Sequence, residues 1–287
     1  MPTETSVKQS NLELQNKFYK FLESDDKKLR EELIPIVKEK HNRQWTNGGI
    51  YNILSVNSNC YSNCKYCYMK GMKKRFFNTD IENLEMNIDK KKIDKNWRKV
   101  EHDKGNIIMF PSSHDIFEEY VDDYIKVCKK MLNAGNSIMI VTKPREECIK
   151  IIMRELKEFK NRILFRLTIT THDEKIAKYY ESNAPTIKER IKCLKMLNKN
   201  KYRTSVSIEP FLSNPKYIVE KINDYVSDDI WIGCMSGLNT NTEIDQKHKD
   251  ELNELYSHDS LKDIINALKE NDKIFWKTSV MKVLLKK

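Results

Sequence analysis

A chain of 287 residues is long enough to bury a full hydrophobic core in a single domain, and its seven cysteines, an odd number with three bunched together, exclude a small disulfide-stapled scaffold. No apolar run reaches the roughly 18 residues needed to span a bilayer, and Met1-Pro-Thr-Glu-Thr-Ser carries no apolar stretch behind a basic start, so no membrane partner is expected and the chain reads as cytoplasmic. The formal net charge of +10 suits a polyanionic partner such as nucleic acid, although the excess is spread over many Lys-rich segments.

From about residue 11 to residue 40, Leu12, Leu14, Phe18, Phe21, Leu22, Leu29, Leu33, Ile36 and Val37 recur at helical spacing. The pattern breaks at Ser24, Asp25 and Asp26, an N-cap type of sequence, so residues 1–48 read as an N-terminal extension of one or two amphipathic helices. A turn-rich link at 41–49 leads into an apolar run of strand length at 50–56, and the cysteine-rich stretch leaves the end of that strand. Residues 70–104 are highly charged, with basic tracts at Lys73, Lys74 and Arg75 and at Lys90, Lys91 and Lys92, and read as helix and surface loop.

Beyond that point the pattern becomes regular. Apolar runs at 106–110, 137–142, 163–170, 204–208 and 229–233 are separated by helical patterns at 117–133, 145–159, 186–198 and 215–226. With the run at 50–56 this makes six strands alternating with helices, the mark of an α/β fold with a parallel βα array over 49–240. Residues 241–287 supply two charged helices, 246–256 and 260–270, then Ile274, Phe275 and Trp276 and a basic tail, all packed on that core. In a βα barrel the chemistry gathers at the carboxyl ends of the strands, and the loop after the first strand is where the cysteines sit.

Cys60, Cys64 and Cys67 stand at C-x3-C-x2-C spacing. Three thiolates that close repel one another or oxidise unless a metal neutralises them, which leaves zinc or iron and sulfur. Structural zinc takes four ligands, usually as two separated pairs, and here the second pair is missing while the six histidines are isolated from one another. A 4Fe-4S cluster normally takes four cysteines, so three would leave one iron open.

The three cysteines, the aromatic Tyr66 just before the last of them, and their place after the first strand of a six-strand βα array resemble the radical S-adenosylmethionine (SAM) superfamily. Glu181, Ala184, Pro185, Arg190 and Pro210, with Thr142 and Lys143 on the third strand and Thr168 or Thr170 on the fourth, resemble its spore photoproduct lyase-like branch and the phage-associated relatives of that branch, over about residues 50–237. The resemblance implies a partial (βα)6 TIM-like barrel in which Cys60, Cys64 and Cys67 hold a 4Fe-4S cluster whose open iron chelates the amino and carboxylate groups of SAM. It further implies that an electron, from a donor such as flavodoxin or ferredoxin, cleaves SAM to methionine and a 5'-deoxyadenosyl radical that abstracts hydrogen from substrate. Tyr66 would pack near the adenine.

The other strand ends carry polar residues. Ser112, Ser113 and Asp115 stand where many superfamily members have Gly-Gly-Glu for the SAM amine, and serve as substitute acceptors; Asp115 equally suits an N-cap for a helix from Ile116. Lys143 reads either as a partner of the SAM carboxylate or as an exposed lysine ahead of a Pro-started helix. Thr168 and Thr170 alternate onto one face, suited to the ribose or methionine end of SAM, or are ordinary strand formers. Glu181 and Arg190 form an ion pair that organises the SAM side. With Ser205 and Ser207 facing inward, Glu209 points to the barrel mouth and binds ribose or substrate. Cys234, after the sixth strand, is either a thiol that returns a hydrogen atom to a product radical or a small buried hydrophobe.

The function expected from these residues is a radical SAM enzyme acting on a nucleic acid or nucleotide, favoured by branch resemblance, net charge and the basic tracts. Modification of a peptide or small metabolite is the alternative, and a metal-stabilised nucleic-acid-binding module without catalysis is a third reading.

Overall fold

Five of the expected apolar runs pair in parallel, as short strands flanked by amphipathic helices must when both sheet faces are to be covered. The computed structural model describes residues 4–40, 49–56, 58–77, 85–100 and 107–286. Its six-stranded sheet has the order β1 (Ile107–Met109), β2 (Ser137–Thr142), β3 (Ile163–Thr168), β4 (Arg203–Ile208), β5 (Ile230–Ile232) and β6 (Ile274–Trp276), every pair parallel. That is the α/β architecture of a partial TIM-like barrel.

In chain order the helices are α1 (Glu4–Ser24), α2 (Lys27–Lys40), α3 (Tyr68–Phe77), α4 (Lys90–Asp94), α5 (Val121–Asn133), α6 (Glu146–Glu155), α7 (Glu174–Tyr180), α8 (Ile187–Lys199), α9 (Lys216–Ile222), α10 (Gln246–Leu255), α11 (His258–Leu268) and α12 (Thr278–Leu284). None of the described helices is long and apolar enough to cross a membrane. The break between α1 and α2 falls where Asp25 takes a positive φ and Asp26 accepts from Lys28 N at 2.7 Å and Leu29 N at 3.3 Å. α5 buries Val121, Tyr124, Ile125, Cys128, Met131 and Leu132, the face its 3.6-residue period brings round to the sheet.

Two strand assignments differ from the sequence reading. The run at 50–56 lies beside β1 and exchanges Tyr51 N to Met109 O (2.9 Å) and Met109 N to Gly49 O (3.0 Å), but forms only one parallel bridge there, Ile50 to Met109. It then turns away to pair antiparallel with 85–89, through Ser55 N to Asn87 O, Asp89 N to Ile53 O and the Leu54–Ile88 bridge. The sixth strand is instead Ile274–Trp276, so residues 241–287 supply a strand of the sheet as well as helices. The run at 163–170 also stops at Thr168, and α7, which no periodicity announced, follows it.

The extension at the N-terminus has a definite task. β6 is an edge strand whose outer backbone groups need partners. Gln15 of α1 supplies them: its Nε2 donates to Ile274 O at 2.8 Å and its Oε1 accepts from Trp276 N at 3.0 Å, while Trp276 Nε1 donates to Tyr19 Oη at 2.9 Å. Leu14, Phe18, Phe21, Leu33 and Val37 share one buried apolar cluster with the strands. Replacing Gln15 by Leu keeps the packing but strands two buried backbone groups, so we expect a loss of about 1–3 kcal/mol for each. Urea unfolding checks this; an unchanged midpoint would mean the edge does not depend on Gln15.

Candidate active site

At the carboxyl ends of the strands lies a cleft of about 350 Å³, within the range of small-molecule sites. Cys60, Cys64 and Cys67 all line it, with Tyr66 between them. Two tight turns bring the thiols to the same wall: Asn63, in the left-handed region, donates its N–H to Cys60 O at 3.1 Å, and Cys67 N donates to Cys64 O at 3.1 Å. α3 begins immediately after Cys67. From outside, Lys65 N donates to Tyr180 O (2.9 Å), Asn241 Nδ2 donates to Lys65 O (2.8 Å) and Lys70 pairs with Glu243 at 2.6 Å, so the loop is anchored on three sides.

Burial pushes the Cys60 thiol up to about 11 and the Cys64 thiol to about 12, so both need a cation to ionise near neutrality. A metal supplies that, since a coordinating thiol is deprotonated outright. Among the described residues no three His, Cys, Asp or Glu side chains converge on a single ion. Three thiols that line one cleft are a donor set that a cluster could take, each thiolate binding a different iron. Lys73 and Lys143 line the same cleft and set positive charge beside the thiols.

Asp115 is not the N-cap that the sequence also allowed. The following helical turn begins only at Glu118, and Phe117, the residue before it, makes no side-chain cap. The carboxylate is instead taken up at the cleft: it accepts from Ser62 Oγ (2.6 Å), Lys143 N (2.7 Å) and Thr142 Oγ1 (3.2 Å), and Lys143 Nζ lies 3.6 Å away. Burial alone would raise Asp115, but Lys143 and these hydrogen bonds hold it below the ordinary carboxylate range. Its own N–H donates to Cys60 Sγ at 3.3 Å. Lys143 is likewise not an exposed lysine; it is buried, and Asp115, Cys64 and Glu181 raise it against a burial that would lower it.

Behind the cysteine wall, Arg190 and Glu181 are buried and meet at 2.5 Å. Glu181 Oε1 accepts from the Tyr66 hydroxyl and from Thr170 Oγ1 (3.0 Å), and Arg190 Nε donates to Pro185 O at 2.8 Å. Burial would raise Glu181, and Arg190 and Lys143 pull it below its usual range. Thr170 and Arg190, expected to touch a cofactor, stand outside the cleft lining and contact Glu181, which in turn bonds Tyr66. Thr168, one strand position earlier on the face, does line the cleft, as do Ser112, Ser113, Ser207, Glu209 and Cys234.

Several residues of the site escaped the sequence reading. Ser62 carries Asp115, Lys73 is buried in the wall rather than part of a surface tract, and His114 lines the cleft with burial pushing it down to about 4. Lys277 lies 3.7 Å from Glu209 Oε2 with its side chain 4% exposed. Only position could have found it, since it is the first residue after a three-residue apolar run.

The Glu181–Arg190 pair yields one prediction. Arg190→Met leaves a buried carboxylate uncompensated, and we expect a loss of about 3–5 kcal/mol in urea unfolding, part of it recovered by adding Glu181→Gln; a loss near zero would contradict the pairing. Lys277 yields another. Burial brings it down to about 7 from 10.5, so between those values the unfolded chain holds a proton that the folded chain lacks, and stability rises with pH across that window. Lys277→Met should flatten this rise, which approaches about 1.4 kcal/mol per pH unit; an identical pH dependence of the unfolding midpoint from pH 7 to 10 in both proteins would count against it.

No family model matches the chain. It is 24% identical over 214 residues to the uncharacterized protein ORF301 of Acidianus two-tailed virus, a stretch that is 68% of each protein. Among solved structures it is similar to Streptococcus suis SuiB bound to precursor peptide SuiA, with a TM-score of 0.50, 14% identity and coverage of 87% of this chain and 52% of SuiB. SuiB bound to S-adenosylmethionine matches with a TM-score of 0.47 at 14% identity, over 87% of this chain and 54% of SuiB. The chain spans about half the length of SuiB, and what the two share is the fold.

Proposed function

We propose that this chain is a radical SAM enzyme. The observation that carries the reading is that Cys60, Cys64 and Cys67, at the spacing noted above, line one cleft of ligand size at the carboxyl ends of a parallel βα sheet. The three thiolates would hold a 4Fe-4S cluster and leave one iron for SAM. Such a cluster, when bound and reduced by a donor such as flavodoxin or ferredoxin, supplies the electron that splits SAM into methionine and a 5'-deoxyadenosyl radical.

The chain's own residues do the rest. Asp115 ties the cysteine loop to the end of β2 and directs its N–H at Cys60, while Lys143 and Lys73 place positive charge beside the thiolates. Glu181 fixes the Tyr66 ring as part of the wall. Ser112, Ser113, Thr168, Ser207 and Glu209 would offer hydroxyl and carboxylate groups to the polar parts of SAM, and the Cys234 thiol, buried at the cleft wall, would return a hydrogen atom. The side chains named here fall within residues 49–240, and α1 braces the sheet at the edge strand β6.

For the substrate we favour a peptide over a nucleic acid, on two grounds. SuiB, which shares the fold, binds a precursor peptide. The basic tracts that suggested nucleic acid are partly structural: Lys73 is buried, and Lys92 Nζ donates to Leu54 O at 2.7 Å.

Anaerobic reconstitution with iron and sulfide tests the chemistry. We expect about four irons per chain, thiolate-to-iron charge-transfer absorption, and 5'-deoxyadenosine from SAM and dithionite, all lost in Cys64→Ala. Full SAM cleavage by that variant would refute the assignment. For the substrate, binding to DNA and RNA oligonucleotides at increasing salt should be weak and nonspecific; tight binding with a steep salt slope would restore the nucleic-acid reading.

A further inference from the structure

Three adjacent parallel strands end in register at the cleft: Ile208 of β4 pairs with Ile232 of β5, which pairs with Trp276 of β6. The next residues are Glu209, Gly233 and Lys277, and side chains at matching positions of neighbouring parallel strands rise from the same face. The middle one has no side chain. Glu209 and Lys277 therefore meet across β5, with Nζ 3.7 Å from Oε2. The space is used fully, because a Cβ built on Gly233 would lie 2.7 Å from Glu209 Oε1 and 2.9 Å from its Cγ and Cδ.

The two ends of this pair differ in access. Lys277 is buried, whereas Glu209 is a quarter exposed and lines the cleft. Around them, Arg166 of β3 is held by Asp229 (2.8 Å) and Ser205 (2.8 Å), and Ser279, which faces Glu209, accepts from Cys234 N at 3.1 Å. The Ser279 side chain also hydrogen-bonds Glu209 and the Arg166 charge acts on it, while Lys277 is the cation that an ion pair sets against the carboxylate.

We propose that Lys277 and Gly233 are positioning residues which hold the Glu209 carboxylate in the cleft, where it receives a hydrogen-bond-donating group of the bound ligand. A lysine beneath and a missing side chain beside it leave the carboxylate one place to stand. The ligand used to test this, SAM, rests on the function proposed above, but the position of Glu209 does not.

The experiment measures SAM affinity by calorimetry on the reconstituted protein just below pH 7, where Lys277 keeps its proton, and follows the Glu209 side-chain carbon by ¹³C NMR across pH, its signal assigned by loss in Glu209→Gln. Lys277→Met and Gly233→Ala should each weaken SAM binding about tenfold, no further when combined with Glu209→Gln, and Lys277→Met should move the Glu209 titration to higher pH. Lys277→Arg should restore most of the affinity. Gly233→Ala, which leaves the lysine in place, decides the matter if Lys277→Met does not fold. Unchanged affinity and titration in variants that only lower the unfolding midpoint would overturn the proposal. If the unmodified protein binds no SAM, the reading of the cleft fails, and the Glu209 titration still separates the two outcomes for Lys277.

Discussion

Buried charge must be paired, and around the cysteine loop that requirement shapes the whole site. Asp115 and Lys143 close one side, and Glu181 and Arg190 close the other, all four largely withdrawn from water. Each pair reaches the loop through a further bond: Asp115 through Ser62 and the Cys60 sulfur, and Glu181 through the Tyr66 hydroxyl. These polar links, together with the packing of Tyr61 on Phe117 and of Tyr66 on the main apolar cluster, hold three cysteines to one cleft wall.

The scaffold beneath serves the same end. Parallel strands buried on both faces place every carboxyl end on one side of the molecule, so residues far apart in sequence arrive at one cleft. The exposed edge that such an open sheet leaves at β6 is capped by the Gln15 side chain, which ties the first helix to the last strand. Lys277 follows that strand directly, so the packing of α1 bears on the position of a site residue.

How much of this could be read from the sequence followed from how local each signal is. The cysteine spacing, the Asp26 cap and the strands β1 to β5 rest on neighbours in the chain and were legible. The Glu181–Arg190 pair was also foreseen, though not that it would keep Arg190 and Thr170 out of the cleft. The run at 50–56 has strand composition, but whether it joins the ladder is decided by its bonds to 85–89, which composition does not carry. The apolar triplet that forms β6 was not read as a strand because it follows two charged helices instead of continuing the βα alternation. Lys73 and Lys92 looked like surface charge because a lysine's burial depends on what folds over it. The Glu209–Lys277 pair depends on register across three strands and on a glycine between them, and no single stretch of sequence contains it.

The central claim is that three cysteines hold a four-iron cluster with one iron left for SAM. Mössbauer spectroscopy of the ⁵⁷Fe-reconstituted protein, recorded with and without SAM, tests it most directly. The account predicts that one iron of the four differs from the rest and changes its isomer shift when SAM is added. Four irons that are alike and indifferent to SAM would contradict it.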